Sequence, residues 1–278
     1  MMDINSAKGS LNPINLFKVF SFRRKFRKEH PLYFDADGLT IFVGPQGSGK
    51  TLSAVKYVES LLKFNPQAIL VTNLFLKDFP IVSFNDYVQI NYYNFIDENF
   101  VFDEEKAYCY YLLENKVFEF LNQDDLSRYS NGERGVIYLI DEIQLYFNSL
   151  ESKNINPDVM TQISQQRKQR KHIVCTSQVF GRMAKPLREQ FSAVILCSNI
   201  LNCIQYNKLV DRDSIEEYDN STNLKGTVKK KFLWFHSPKD YESYDTYYVI
   251  QKNKFVSNED KKEVGLYEYR LYNNNDNN

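Results

Sequence analysis

Gly44-Pro45-Gln46-Gly47-Ser48-Gly49-Lys50-Thr51 satisfies the pattern G-x-x-x-x-G-K-[ST] at every fixed position. The apolar run Leu39-Thr40-Ile41-Phe42-Val43 stands before it and reads as a buried strand. Beyond it, Leu52, Val55, Val58, Leu61 and Leu62 recur at helical spacing. Strand, glycine-rich loop and helix form the context such a motif requires. Backbone N–H groups from Gly44 to Leu52 then face a triphosphate, and the helix N-terminus adds partial positive charge. Lys50 reaches for the β- and γ-phosphate oxygens, and the Thr51 hydroxyl offers an oxygen to Mg²⁺.

A second motif follows some ninety residues later. Val136-Ile137-Tyr138-Leu139-Ile140 reads as a core strand that ends in Asp141-Glu142. An acidic residue at the end of an apolar strand, downstream of a phosphate loop, describes a Walker B strand. Asp141 is placed to hold Mg²⁺, through water or in concert with Thr51. Glu142 is placed to polarise or orient an attacking water. Further along, His172-Ile173-Val174-Cys175-Thr176 is another strand, ending in Ser177-Gln178. Gln178 either bonds the attacking water or the γ-phosphate, or caps its own loop.

The other core strands are Ala68–Leu74 and Ser192–Cys197. Continuous apolar runs of this kind suit a parallel sheet covered on both faces, hence an α/β fold. Residues 31–35 suggest a strand leading to Gly38, Asp103–Gln123 a helix, 124–134 a loop, and Ala184–Gln190 a short helix. Residues 79–100 are aromatic and carry no clear period. Asn156-Pro157 opens a helix expected to run to about Arg170. Its basic end, Gln165 to Lys171, holds Arg167 and Arg170. That end reads either as a solvated face favoured by the helix dipole or as the source of an arginine acting on a neighbouring subunit's γ-phosphate.

Residues 1–30 form a basic arm. Lys8, Lys18, Arg23, Arg24, Lys25, Arg27 and Lys28 are interleaved with Phe17, Val19, Phe20, Phe22 and Phe26. The arm suits nucleic acid, an anionic membrane or an acidic partner, and equally a solvated helix that packs its phenylalanines. From about residue 200 the pattern turns to period two. Strands are expected at 204–210, 232–236, 245–250 and 266–272, forming a small antiparallel sheet that is either an appendage or a continuation of the main one. The cluster Lys225, Lys229, Lys230, Lys231 reads as a solvated turn rather than a DNA contact. The expected organisation is thus arm 1–30, nucleotide domain 31–200, β-rich extension 201–272 and a disordered tail 273–278.

The 278 residues suit one α/β domain with added elements. Thirty-five basic and 35 acidic residues cancel, so attraction to nucleic acid must come from local clusters. Four cysteines, Cys109, Cys175, Cys197 and Cys203, show no C-x-x-C spacing. Cys175 and Cys197 fall in apolar runs and read as buried thiols of a cytoplasmic protein. No apolar run reaches 18 residues, and the N-terminus has no signal-peptide core.

Together these motifs resemble the FtsK/HerA group of P-loop motor ATPases, within it most nearly the zonular occludens toxin-like family and viral DNA-packaging ATPases. Gly44–Thr51, Val71-Thr72-Asn73, Ile140-Asp141-Glu142-Ile143-Gln144, Thr176-Ser177-Gln178 and the Arg167/Arg170 pair carry the resemblance, over about residues 38–200. It implies a RecA-like core, ATP and Mg²⁺ as cofactors, and a homo-oligomeric ring of five or six subunits. It further implies a trans arginine and work on DNA, or on capsid, portal or coat proteins. Filamentous-phage members of the family carry a membrane-spanning segment after the ATPase domain, and this sequence shows none. The expectation therefore leans to a DNA-translocating motor for viral genome packaging, acting in the host cytoplasm or in contact with a virion or membrane. The alternatives are a phage-assembly ATPase acting on coat protein at a membrane and a nucleotide-gated binding module.

Overall fold

Four strands are buried along their whole length: β1 (Leu39–Val43), β2 (Ile69–Thr72) and β4 (Val136–Ile140), apolar at nearly every position, and β5 (Lys171–Ser177), whose apolar centre is flanked by polar residues. The computed structural model describes residues 13–96, 101–150, 155, 157–215 and 226–244. Three short or longer strands, β3 (Val117–Glu119), β6 (Phe191–Ile200) and β7 (Ile204–Val210), and the last strand β8 (Val228–Phe235) complete one eight-stranded sheet. Its order is β3-β2-β4-β5-β1-β6-β7-β8. The first six positions are joined in parallel, while β6–β7 and β7–β8 are antiparallel.

Both faces of the parallel part are covered, as the unbroken apolar runs require. Leu39, Ile41, Val71, Tyr138, Ile140 and Cys175 face one apolar cluster. Phe42, Leu70, Ile137, Leu139 and Val174 face the other, with Ala54, Val55 and Val58 of α2 (Lys50–Phe64). The first cluster is closed by α3 (Phe84–Asn91), α4 (Glu104–Glu114) and α6 (Pro157–Gln165). The short helices α5 (Asp125–Arg128) and α7 (Lys185–Arg188) pack against α6, and α8 (Pro238–Glu242) packs against α2. This is an α/β fold with a mainly parallel sheet and antiparallel strands added at its C-terminal side.

Several expectations need correction. Residues 31–35 form no strand; Phe34 is buried and its N–H bonds the Glu133 carbonyl. The helix expected to reach Gln123 stops at Glu114. The chain turns extended at Asn115, and Val117–Glu119 pairs with β2 as an edge strand. A parallel edge of three residues is too short to show a period, which is why it read as helix. The helix expected to reach Arg170 ends at Gln165; turns follow, and Arg170 adopts φ 58° before β5 begins. The antiparallel strands β7 and β8 continue the main sheet, one of the two arrangements the sequence leaves open. The strands expected at 245–250 and 266–272, the tail 273–278 and Lys225 lie outside the described residues, as does Lys8.

Within the arm, Pro13–Glu29 form helix α1, while residues 1–12 lie outside the described residues. Phe17, Phe20 and Phe22 are exposed, whereas Phe26 packs edge-on against Tyr33 at 5.0 Å. Cys175 and Cys197 are buried free thiols; Cys109 and Cys203 are exposed and also free. Among the described residues no helix is long and apolar enough to cross a membrane.

Candidate nucleotide site

Parallel pairing brings the ends of β1, β2, β4 and β5 to one edge of the sheet. Val43 lies opposite Ser177, Ile140 opposite Cys175, and Thr72 opposite Leu139. The residues that follow these strands therefore converge: the loop from Gly44, then Asn73, Asp141 and Gln178. Open α/β sheets bind ligands outside the carboxyl ends of their strands, where this convergence sits.

The loop between β1 and α2 takes its shape from glycines. Gly47 and Gly49 hold φ of 77° and 76°, a region L-residues rarely enter. A Cβ on Gly44 would lie 2.9 Å from the Cys197 carbonyl. Lys50, the first residue of α2, is buried. Its Nζ lies 2.9 Å from Glu142 Oε1. Gln178 Nε2 donates to the same oxygen at 3.0 Å, and Gln144 donates to Oε2. Burial raises the Glu142 pKa, but these three hydrogen bonds and the Lys50 charge outweigh it and hold the carboxyl below its ordinary range.

Glu142 itself stands in the left-handed region, at φ 50° and ψ 55°. Such a conformation costs a non-glycine residue about 1 kcal/mol or more and persists only where its surroundings impose it. Here its N–H donates to Thr176 Oγ1 at 2.9 Å, and the turned backbone aims the carboxylate at Lys50 and Gln178.

Asp141 is held from three sides. Its Oδ1 accepts from Thr51 Oγ1 at 2.8 Å and from Thr176 Oγ1 at 2.6 Å. Its peptide forms a reciprocal pair with the Asn73 amide: the Asp141 N–H donates to Oδ1 at 2.7 Å, and Nδ2 donates to the Asp141 carbonyl at 2.9 Å. Burial raises its pKa, opposed by the bonds from Thr176 and Thr51. Thr51 Oγ1 and Asp141 Oδ1 are hard oxygen donors of the kind Mg²⁺ takes beside substrate phosphates. Among the described residues no group of three His, Cys, Asp or Glu could hold a metal alone. Phosphate oxygens and water would have to complete the shell, which suits Mg²⁺.

The structure thus unites Lys50, Thr51, Asp141, Glu142 and Gln178. Arg167 and Arg170 are not brought there. They precede β5, whose other end carries Gln178, and the strand's seven residues span about 20 Å. Arg170 instead stacks on Tyr33, 3.9 Å from the ring centre, while Arg167 is exposed. Four residues of the site were not assigned a role from sequence. Thr176 and Asn73 fix Asp141 and Glu142, and Gln205 and Asn207 of β7 reach the loop from beneath: Gln205 Nε2 donates to the Ser48 carbonyl at 2.9 Å. The available signal for the last pair was two amides at alternate positions of a period-two strand.

No protein-family model and no curated protein matches the sequence. Among solved structures, the chain is similar to the genome packaging NTPase B204 from Sulfolobus turreted icosahedral virus 2 in complex with ATP-gammaS (15% identity, 58% of this chain and 74% of that one, TM-score 0.40). It is similar to the N-terminal domain of zonular occludens toxin from Neisseria meningitidis (15% identity, 75% and 98%, TM-score 0.43). A third likeness is to flagellar accessory protein FlaH from Methanocaldococcus jannaschii (12% identity, 76% and 90%, TM-score 0.42). Likenesses this distant say nothing about activity, so the functional reading rests on the geometry of the site.

Proposed function

We propose that this protein is an ATP-hydrolysing motor that works as a ring and moves DNA, in the manner of a viral genome-packaging ATPase. One observation carries the hydrolytic part: Glu142 Oε1 is shared by Lys50 at 2.9 Å and Gln178 at 3.0 Å. A lysine that serves phosphates is paired with the carboxylate that would serve water. When a triphosphate enters the loop, Lys50 turns to its β- and γ-oxygens and releases Glu142. Loss of the Lys50 bond and charge raises the basicity of Glu142, at the moment when a water in line with the γ-phosphorus needs a proton acceptor. Gln178 remains on Glu142 or moves to the γ-phosphate, so its strand end registers which nucleotide is present. Mg²⁺ at Thr51 and Asp141 would neutralise charge on the phosphate oxygens.

The DNA part rests on charge placement. Phe26 on Tyr33 and Arg170 on the same ring join the arm to the turn before β5. Arg23, Arg24, Lys25, Arg27 and Lys28 of α1 and Arg167, Lys168 and Arg170 thus belong to two basic segments linked through Tyr33, the second at the end of β5 remote from the nucleotide. A basic face of this kind suits phosphate backbone in a protein with no net charge. For a trans arginine Arg167 is the better candidate, since Arg170 is engaged with Tyr33. The decisive experiment measures ATP hydrolysis at low salt with and without double-stranded DNA. Several-fold stimulation, lost when Arg23, Arg24, Arg27 and Lys28 are neutralised, is expected; equal rates with and without DNA would refute DNA as the moved substrate. The exposed Phe17, Phe20 and Phe22 favour the second reading, in which α1 docks on coat protein or membrane and the ATPase drives virion assembly.

A further inference from the structure

The antiparallel strands β7 and β8 carry side chains that no nucleotide motif accounts for. Gln205 is fully buried and Asn207 nearly so, although both are polar. They lie under the first turn of α2. Gln205 Nε2 donates to the Ser48 carbonyl at 2.9 Å and to Asn207 Oδ1 at 2.8 Å. Asn207 Nδ2 donates to Ser53 Oγ at 3.1 Å. The acceptor left on Gln205, Oε1, faces His236 Nε2 at 3.2 Å, just past the end of β8. Two acceptors face the Gln205 nitrogen, so the amide orientation is fixed by its surroundings.

A second hold lies one turn further along α2. Lys56 Nζ sits 4.0 Å over the Trp234 ring of β8 and 2.8 Å from Asp240 of α8. The extension therefore grips the phosphate loop and its helix at two points.

We propose that Gln205 and Asn207 are positioning residues of the phosphate loop, which makes the β7–β8 extension part of the nucleotide site rather than an appended brace. The reasoning is stereochemical and rests on the phosphate-binding reading of the loop. A trans peptide points its C=O and N–H in opposite directions. By holding the Ser48 carbonyl down, Gln205 sends the Gly49 N–H up, toward the side where phosphate oxygens lie. Asn207 fixes Ser53, whose own N–H bonds the Gly49 carbonyl at 2.9 Å. Both peptides flanking Gly49 are thus set from below. Gly49 also shows how close the contact is: a Cβ there would stand 2.0 Å from Gln205 Oε1.

The test is Gln205→Met, which keeps length and volume and deletes the donors, followed by steady-state ATP hydrolysis, fluorescent-nucleotide titration and thermal melting. Orientation of a phosphate-binding N–H acts on bound ATP throughout the reaction, so KM and the nucleotide Kd should rise about tenfold or more while kcat changes little. Wild-type affinity in a folded Gln205→Met protein would overturn the proposal. Asn207→Ala should shift Kd in the same direction by less, and combined with Ser53→Ala it should add nothing further; an additive double variant counts against the Asn207 arm. Hydrogen exchange in the wild-type protein needs no variant. ATP should slow exchange in the β7–β8 amides but leave the distant edge strand β3 unchanged, and no slowing in β7–β8 overturns the coupling. A wild-type chain that binds no nucleotide would sink the underlying reading instead, a result plainly different from a defect confined to Gln205→Met.

Discussion

Replacing Glu142 with glutamine separates binding from chemistry more cleanly here than in most sites. The carboxylate receives three donors: Lys50, Gln178 and Gln144. A glutamine at 142 has one acceptor oxygen, which can stay on Lys50 and Gln178. Its new NH₂ group would face Gln144 Nε2, donor against donor. Gln144 can resolve this by turning its amide, because its own Oε1 is buried and has no hydrogen-bond partner. The variant therefore keeps its bonds and should melt within a few degrees of wild type.

Two functional consequences follow in opposite directions. In the wild-type protein Lys50 must leave a half-buried carboxylate before it can bind phosphate; the two side chains are only 9% and 18% exposed. A hydrogen bond to a charged group contributes about 1.5–3 kcal/mol. Removing the charge of Glu142 should therefore tighten ATP binding by about 10- to 100-fold, while loss of the proton acceptor should slow turnover by about 10²- to 10⁴-fold. A fluorescent ATP analogue titrated with Mg²⁺ present reads the first effect, and single-turnover hydrolysis reads the second. Unchanged turnover would remove Glu142 from the chemistry. Weaker binding would show that the Lys50–Glu142 pair does not compete with nucleotide.

Asn73→Leu should leave the Asp141 peptide N–H and C=O without their partner, costing about 1–3 kcal/mol of stability, and should raise the Mg²⁺ concentration needed for half-maximal hydrolysis; melting curves and a Mg²⁺ titration check both. His172 is fully enclosed in β5, and burial, opposed by Asp37, lowers its pKa to about 4. The unfolded imidazole takes its proton near 6.5 and the folded one only near 4, so stability should fall across that window as pH drops, by up to about 3 kcal/mol. Urea unfolding at pH 7 and pH 4.5 should show this loss in wild type and a smaller one in His172→Asn; equal losses would contradict it. Arg167→Ala should keep nucleotide affinity but poison mixtures with wild-type subunits, whereas Arg170→Ala should mainly loosen its stack on Tyr33, costing about 0.5–1 kcal/mol of stability. Mixing assays in which activity falls only in proportion to the variant added would dismiss a trans role for Arg167.

What could be read from sequence divides along physical lines. β1, β2 and β4 announced themselves because a strand covered on both faces is apolar nearly throughout, and β5 did so by its apolar centre, Ile173-Val174-Cys175. The residues at their carboxyl ends followed automatically, since parallel strands put those ends together. Gly47 and Gly49 were equally legible, because the loop needs positive φ and the pattern records it. The meeting of α1 with Arg170 was not legible, since it depends on one aromatic contact through Tyr33 between distant segments. Strand β7 is the more instructive failure. Read by hydrophobic alternation, Ile204-Gln205-Tyr206-Asn207 should bury its isoleucine and tyrosine. The structure does the reverse, burying Gln205 and Asn207 and leaving Ile204 and Tyr206 partly exposed. The face beneath a phosphate loop is lined by a carbonyl and a hydroxyl, Ser48 and Ser53, and an apolar side chain there would strand both. A polar stripe on the inward face of a strand is a local rule broken, and such breaks concentrate where function demands them. Positions 205 and 207 thus violate the pattern because the strand answers to Ser48 and Ser53, at the loop between β1 and α2, rather than to the apolar core.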